Sequence, residues 1–171
     1  MKALLKFPNG LHEDLMGHLL PPDCHQEQAA FLFVRATRGD QKIIFDSIEA
    51  KKLGPADFAV QEGDYLEMAD TTRASLIKRA HDLNASLVEM HSHPGPWPAA
   101  FSPYDRAGLE ETVPHMWWRL KKQPYLAIVV ARSGFDALLW LDNPKIPRAL
   151  DGLLAGNHLL RPTNNSLKGW P

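Results

Sequence analysis

The chain holds a single cysteine, Cys24, among 171 residues. No internal disulfide can form, and a closed structural metal site built on several cysteines is excluded; one lone thiol suits a reducing, cytoplasmic compartment. Charge of one sign is missing too: 19 basic and 20 acidic residues leave a formal net charge of -1. No basic stripe stands out, which argues against nucleic acid as a partner, because such binding rests on lysine and arginine at phosphates. Nothing approaches the roughly 18 unbroken apolar residues of a membrane span, so no membrane partner is expected. The opening MKALLKFPNG lacks the apolar centre of a signal peptide. Internal repeats and low-complexity tracts are absent. What is present is a 44% hydrophobic content in a length suited to one domain.

Residues 2–7 (KALLKF) read as a short strand ended by Pro8-Asn9-Gly10. Leu11, Leu15, His18 and Leu19 recur at helical spacing until Pro21-Pro22. The apolar run 30–37 and KIIFDSIE (42–49), separated by Arg38-Gly39-Asp40, predict a hairpin. Residues 50–70, with Gly54-Pro55, Gly63 and scattered charge, read as a loop or weakly ordered insertion. Thr71 or Thr72 can cap a helix that buries Leu76, Ile77 and Ala80 and closes at Asn84. SLVEMH (86–91) is a third main strand, and Ser102-Pro103 opens another helix. Pro114 is expected to divide that helix in two. YLAIVVAR (125–132) and DALLWLD (136–142) form a second hairpin, and the proline-rich tail 143–171 is expected to be partly ordered at best. The order of elements predicts an α+β fold: one domain over 1–142 with a central mixed β-sheet flanked by helices.

The chemistry concentrates in HSHPGPWPAAFSPYD, residues 91–105. Alternate residues of a strand point to the same face, so His91 and His93 emerge together, about 6–7 Å apart at the backbone. Pro94 ends the strand there, and seven loop residues, GPWPAAF, lead to Ser102. Two imidazoles and the Asp105 carboxylate, with a fourth position left for water, form the donor set of a catalytic zinc site. Ser102-Pro103-Tyr104-Asp105 reads equally as a helix-capping box. On spacing alone the serine reads as a cap and the aspartate stands between the two roles, which can coexist.

HSHP, seven residues, then S-x-x-D resembles the motif of the JAMM (MPN+, JAB) metallopeptidase family. His91, Ser92, His93, Pro94, Ser102 and Asp105 occupy its defining positions, and the order of elements resembles the family from about residue 2 to about residue 142. The resemblance implies an MPN-like, cytidine-deaminase-like domain. It implies one Zn²⁺ per chain held by His91, His93 and Asp105, with Ser102 toward the forming oxyanion. A glutamate just before the first long apolar strand serves as general base in the family, and Glu27 stands at that place. Competing acids are Glu89, on the histidines' strand face and within reach of an imidazole N–H, and Glu49, Glu62 and Glu67, expected in solvent. No covalent intermediate is needed, so Cys24 beside His25 is not expected to act as a nucleophile dyad.

The resemblance further implies a peptide or isopeptide bond as target. Stand-alone prokaryotic relatives often accompany ubiquitin-like conjugation enzymes, including operons for antiphage defence, and this short chain looks like that group. The expected partner is a ubiquitin-like protein or its conjugate, cut after its C-terminus in deconjugation or precursor processing. Its tail would add as a strand beside an exposed edge, with Phe58, Val60, Tyr65 and Leu66 of the 50–70 segment as a candidate surface. Trp97 could wall the channel or pack beneath the loop, and of the adjacent Trp117 and Trp118 one is expected to be exposed. Three rivals differ in class: a non-catalytic MPN-type scaffold, a DNA-associated JAB protein, and a zinc nucleobase deaminase. The last needs a C-x-x-C that one cysteine cannot supply.

Overall fold

In the computed structural model, which describes residues 1–170, three helices pack on a nine-stranded sheet. The strands are β1 (Lys2–Phe7), β2 (Ala29–Arg38), β3 (Lys42–Lys52), β4 (Phe58–Gln61), β5 (Leu66–Met68), β6 (Ser86–Ser92), β7 (Tyr125–Ala131), β8 (Gly134–Trp140), β9 (Arg148–Ala149), β10 (Gly152–Ala155) and β11 (His158–Leu160). The helices are α1 (Leu11–Leu19), α2 (Asp70–Leu83) and α3 (Pro103–Arg119). The large sheet runs β11-β10-β1-β3-β2-β6-β7-β8-β9, and β4 and β5 form a separate two-stranded sheet. It is mixed: β1 lies parallel to β3 and β10, and β6 parallel to β7, while the hairpins β2–β3 and β7–β8 are antiparallel. The α+β reading with a central mixed sheet holds.

Strand alternation divides the core in two. Leu5, Leu32, Val88, Met90 and Ile128 face α1 with Leu15 and Leu19. Phe31, Phe33, Leu87, Ala127 and Val129 face α2 and α3, against Leu76, Ile77, Val113, Met116 and Trp117. Odd-numbered residues of β6 therefore point toward α2 and α3, and Glu89 and His91 share that parity. The sheet buries apolar side chains on both faces, which is why its central strands read as apolar runs.

Four expectations need correction. First, residues 50–70 are ordered: β3 continues to Lys52, a 3-10 turn spans Pro55–Asp57, and β4 pairs with β5. Strands of 4 and 3 residues are too short to show a period in sequence. Second, the tail is part of the fold. β10 pairs in parallel with β1, β11 pairs with β10, and β9 pairs with β8, so the sheet domain extends beyond residue 142. Third, α3 runs through Pro114 without dividing. Proline forgoes one helical hydrogen bond, and the burial of Val113, Met116 and Trp117 around it offsets that loss. Fourth, α2 starts two residues earlier than a Thr71 cap requires, with Ala69 as N-cap, and Thr72 instead donates to Asp57 Oδ1 at 3.2 Å. Its end is as expected: Asn84 takes the left-handed conformation, φ 48°.

Candidate metal centre

The site forms where β2, β6 and α3 meet. β2 and β6 pair antiparallel with Ala29 opposite His91, so the same register carries Glu27 across from His93. Beyond the last paired residues the two strands stay joined through Ser92. Its N–H donates to Gln28 O at 3.0 Å, and its hydroxyl accepts from Gln28 N–H at 3.0 Å. Ser92 is fully buried on the opposite face from the histidines. Its place between the two histidines of the HSHP motif was the sequence signal for this residue.

His91 Nε2 and His93 Nε2 lie 3.2 Å apart. Asp105 closes a triangle with them: Oδ1 is 3.3 Å from His91 Nε2 and Oδ2 is 3.2 Å from His93 Nε2. The two distances run to different oxygens, so the Asp105 carboxylate spans both imidazoles rather than offering one atom to both. Glu27 Oε1 stands 3.5 Å from His93 Nε2. Glu27, His91 and His93 alone also form a possible metal-holding group, with donors within 4.8 Å of one another. Of the two carboxylates, only Asp105 approaches both imidazoles this closely; Glu27 touches one and sits farther back.

Asp105 caps α3 and also meets both imidazoles. Its Oδ2 accepts from Ser102 N–H at 2.7 Å, and Ser102 Oγ accepts from Asp105 N–H at 3.1 Å. The capping box thus fixes the carboxylate that meets the histidines. Burial opposes its ionisation, but hydrogen bonds from His91 and His93 outweigh that and hold it well below the usual carboxylate range. For His91, burial opposes charging, but the Asp105 carboxylate beside it, with Glu27 and Glu89 further off, outweighs burial and raises its pKa. Glu27 is 5% exposed. Burial pushes its carboxyl up, against the opposing pull of His91 and His93.

The β4–β5 hairpin holds Glu27 by its backbone. Glu27 N–H donates to Glu62 O at 3.1 Å, and Gln61 Nε2 donates to Glu27 O at 3.0 Å. The competing acids lie elsewhere. Glu49 pairs with Arg79 at 2.6 Å, and Glu62 and Glu67 are exposed. Glu89 accepts from Tyr125 Oη at 2.5 Å, and its carboxyl is not on an imidazole N–H among the described hydrogen bonds. The Cys24 thiol donates to Gln26 O at 3.3 Å, so no Cys-His dyad forms.

A profile of the prokaryotic homologues of the JAB domain matches residues 10–137. The chain belongs to the prokaryotic JAB-domain family. JAB domains are generally metallopeptidases, and the His-His-carboxylate cluster of this JAB domain could hold a metal ion. No curated protein matches the chain.

The segment beyond the matched residues clasps the site of this JAB domain. Asp136, fully buried in β8, accepts from Asn164 N–H at 3.0 Å and Ser166 N–H at 2.8 Å. Ser166 Oγ in turn accepts from Phe101 N–H at 2.8 Å, one residue before Ser102. Thr163 Oγ1 donates to Ala99 O at 2.8 Å, and Arg106 donates to Ser166 O at 3.0 Å. An aspartate inside the apolar strand GFDALLW was the only hint of this arrangement. The aromatic expectations resolve unevenly. Trp117 is buried and Trp118 is 72% exposed. Trp97 is 76% exposed and does not line the cleft at the site, whereas Tyr65 and Tyr104 do, edge to face at 6.4 Å.

Proposed function

We propose that this JAB domain is a zinc-dependent hydrolase of peptide or isopeptide bonds. One observation carries the reading: two imidazoles 3.2 Å apart, with the Asp105 carboxylate against both and the buried Glu27 carboxylate beside them. His91, His93 and Asp105 would hold the ion. When bound, zinc acidifies water and polarises a carbonyl.

The chain's own groups supply the rest. Glu27 takes a proton from the attacking water as general base and returns it to the leaving nitrogen. Oxygen joins the carbonyl carbon, the C–N bond breaks, and an acid and an amine leave. Burial favours the protonated form of Glu27, which suits a carboxyl that must hold a proton between the two steps. Ser102 Oγ accepts from Asp105 N–H, so its own O–H remains free to donate toward an oxyanion. Ser92 and the β4–β5 hairpin fix the strand end that carries Glu27.

The proposed target is the C-terminus of a ubiquitin-like protein, cut in deconjugation or precursor processing within a prokaryotic conjugation pathway such as antiphage defence. The small β4–β5 sheet is independent of the large one and lies beside Glu27, so an extended tail could add to it. The motif residues assembled here favour this over a metal-free scaffold. The test is Glu27→Gln on ubiquitin-like fusions. Zinc content by elemental analysis should stay near one per chain while turnover falls about 10²–10⁴-fold. Full turnover in that variant rejects the assignment, and a wild-type protein that binds no zinc rejects the hydrolase.

A further inference from the structure

The site opens into a cleft of about 710 Å³ between α3 and the β4–β5–α2 segment. Six carboxylates line it, and Arg73, in the first turns of α2, is its only lysine or arginine. Arg73 Nε is buried and has no hydrogen-bond partner among the described residues. Nor does its guanidinium form an ion pair within 4.0 Å among them. Glu89 lines the same cleft, and the hydrogen bond to its carboxyl comes from Tyr125 Oη onto Oε2 rather than from Arg73. Other half-buried or paired guanidinium groups of the chain are satisfied: Arg79 by Glu49, and Arg106 by two backbone carbonyls.

A buried N–H without an acceptor is destabilising and calls for an explanation. A planar guanidinium presents a fork of donors that matches one carboxylate in two parallel hydrogen bonds. The rest of the cleft is acidic, so an anionic group finds a favourable place at Arg73 and is repelled elsewhere. We propose that Arg73 is a specificity residue that receives a carboxylate of the substrate, so that preferred substrates carry a free carboxylate near the bond to be cut. This rests on the hydrolase reading for the bond cleaved, but the carboxylate site stands on the cleft alone. The carboxylate is either a C-terminal α-carboxylate or an aspartate or glutamate side chain.

The experiment uses three N-acetylated glycyl peptides of one length: one with a free C-terminus, one amidated with an internal glutamate, and one amidated and neutral. Binding to the zinc-loaded wild-type and Arg73→Gln proteins is measured by calorimetry, and cleavage by chromatography. In the wild type, one of the two acidic peptides should bind about tenfold or more tightly than the neutral one. Which one it is identifies the source of the carboxylate. Arg73→Gln should collapse that ratio toward one, and Arg73→Lys, which keeps charge but not the fork, should give an intermediate ratio. Equal affinities in the wild type overturn the proposal and leave water as the partner of Arg73. A ratio that survives Arg73→Gln also overturns it, because the ion or the histidines then hold the carboxylate. Selective binding with no cleavage of any peptide sinks the hydrolase reading and keeps the site; cleavage without selectivity does the reverse.

Discussion

Ser102 carries two roles on one oxygen, and the two are separable by experiment. Its Oγ caps α3, and its O–H is left free to donate to an oxyanion. Ser102→Ala should cost about 1 kcal/mol in urea unfolding, the usual loss of an N-cap. The same substitution should lower kcat about 10²–10³-fold with little change in KM, as loss of one oxyanion donor does. A capping role alone would leave kcat intact. Glu89 offers a pH test. Burial is the main reason its carboxyl sits above 4.5, with the Tyr125 hydrogen bond pulling the other way. A carboxyl raised on folding binds more protons folded than unfolded, so its contribution is present at low pH and lost as pH rises through the folded value. The urea midpoint of metal-free protein should therefore fall as pH rises above 4.5. Glu89→Gln, whose amide oxygen still accepts from Tyr125, should flatten that fall and raise the midpoint at neutral pH.

Elements act here as mounts. β6 and the residue just beyond it bring two histidines to one face, the capping box of α3 sets the Asp105 carboxylate against them, and the β4–β5 hairpin grips the backbone of Glu27. The tail clasp completes the mount by holding Phe101 and Ala99 in the loop before Ser102. Asp136→Ala would leave the Asn164 and Ser166 N–H groups without their acceptor, at about 1–3 kcal/mol each. Zinc affinity should weaken about 10–100-fold, as when groups supporting a ligand are removed. Amide exchange at residues 99–105 should accelerate. Unchanged exchange there would separate the tail from the site. The hairpin and the clasp were hidden from sequence reading for the same reason. Each consists of short pieces whose hydrogen bonds run to residues far along the chain, so neither leaves a periodic signal.

At the scale of the whole molecule, the site ties together segments distant in sequence: residues 27, 91–93 and 102–105. An ion bound there stabilises only the folded chain. Zinc at about 100 times its Kd should add about 2.7 kcal/mol, a rise in Tm of about 5–10 °C for a chain of this size. Chelation should remove that rise and added Zn²⁺ restore it, as read by calorimetry. A Tm indifferent to both would mean that no ion is held. Among the described residues, no helix is long and apolar enough to cross a membrane.

The sequence by itself determined the local features. Alternation placed His91 and His93 on one side, Ser102-Pro103 marked a helix start, and the two hairpins showed as apolar runs around tight turns. These depend on neighbours a few residues apart, where backbone geometry alone sets direction. Only the tertiary structure showed the Asp105 carboxylate capping α3 and meeting the imidazoles at once, brought Glu27 rather than Glu89 beside them, and drew residues 143–170 into the sheet and onto the site loop. Those outcomes depend on strand register and on long-range hydrogen bonds, which no local pattern encodes.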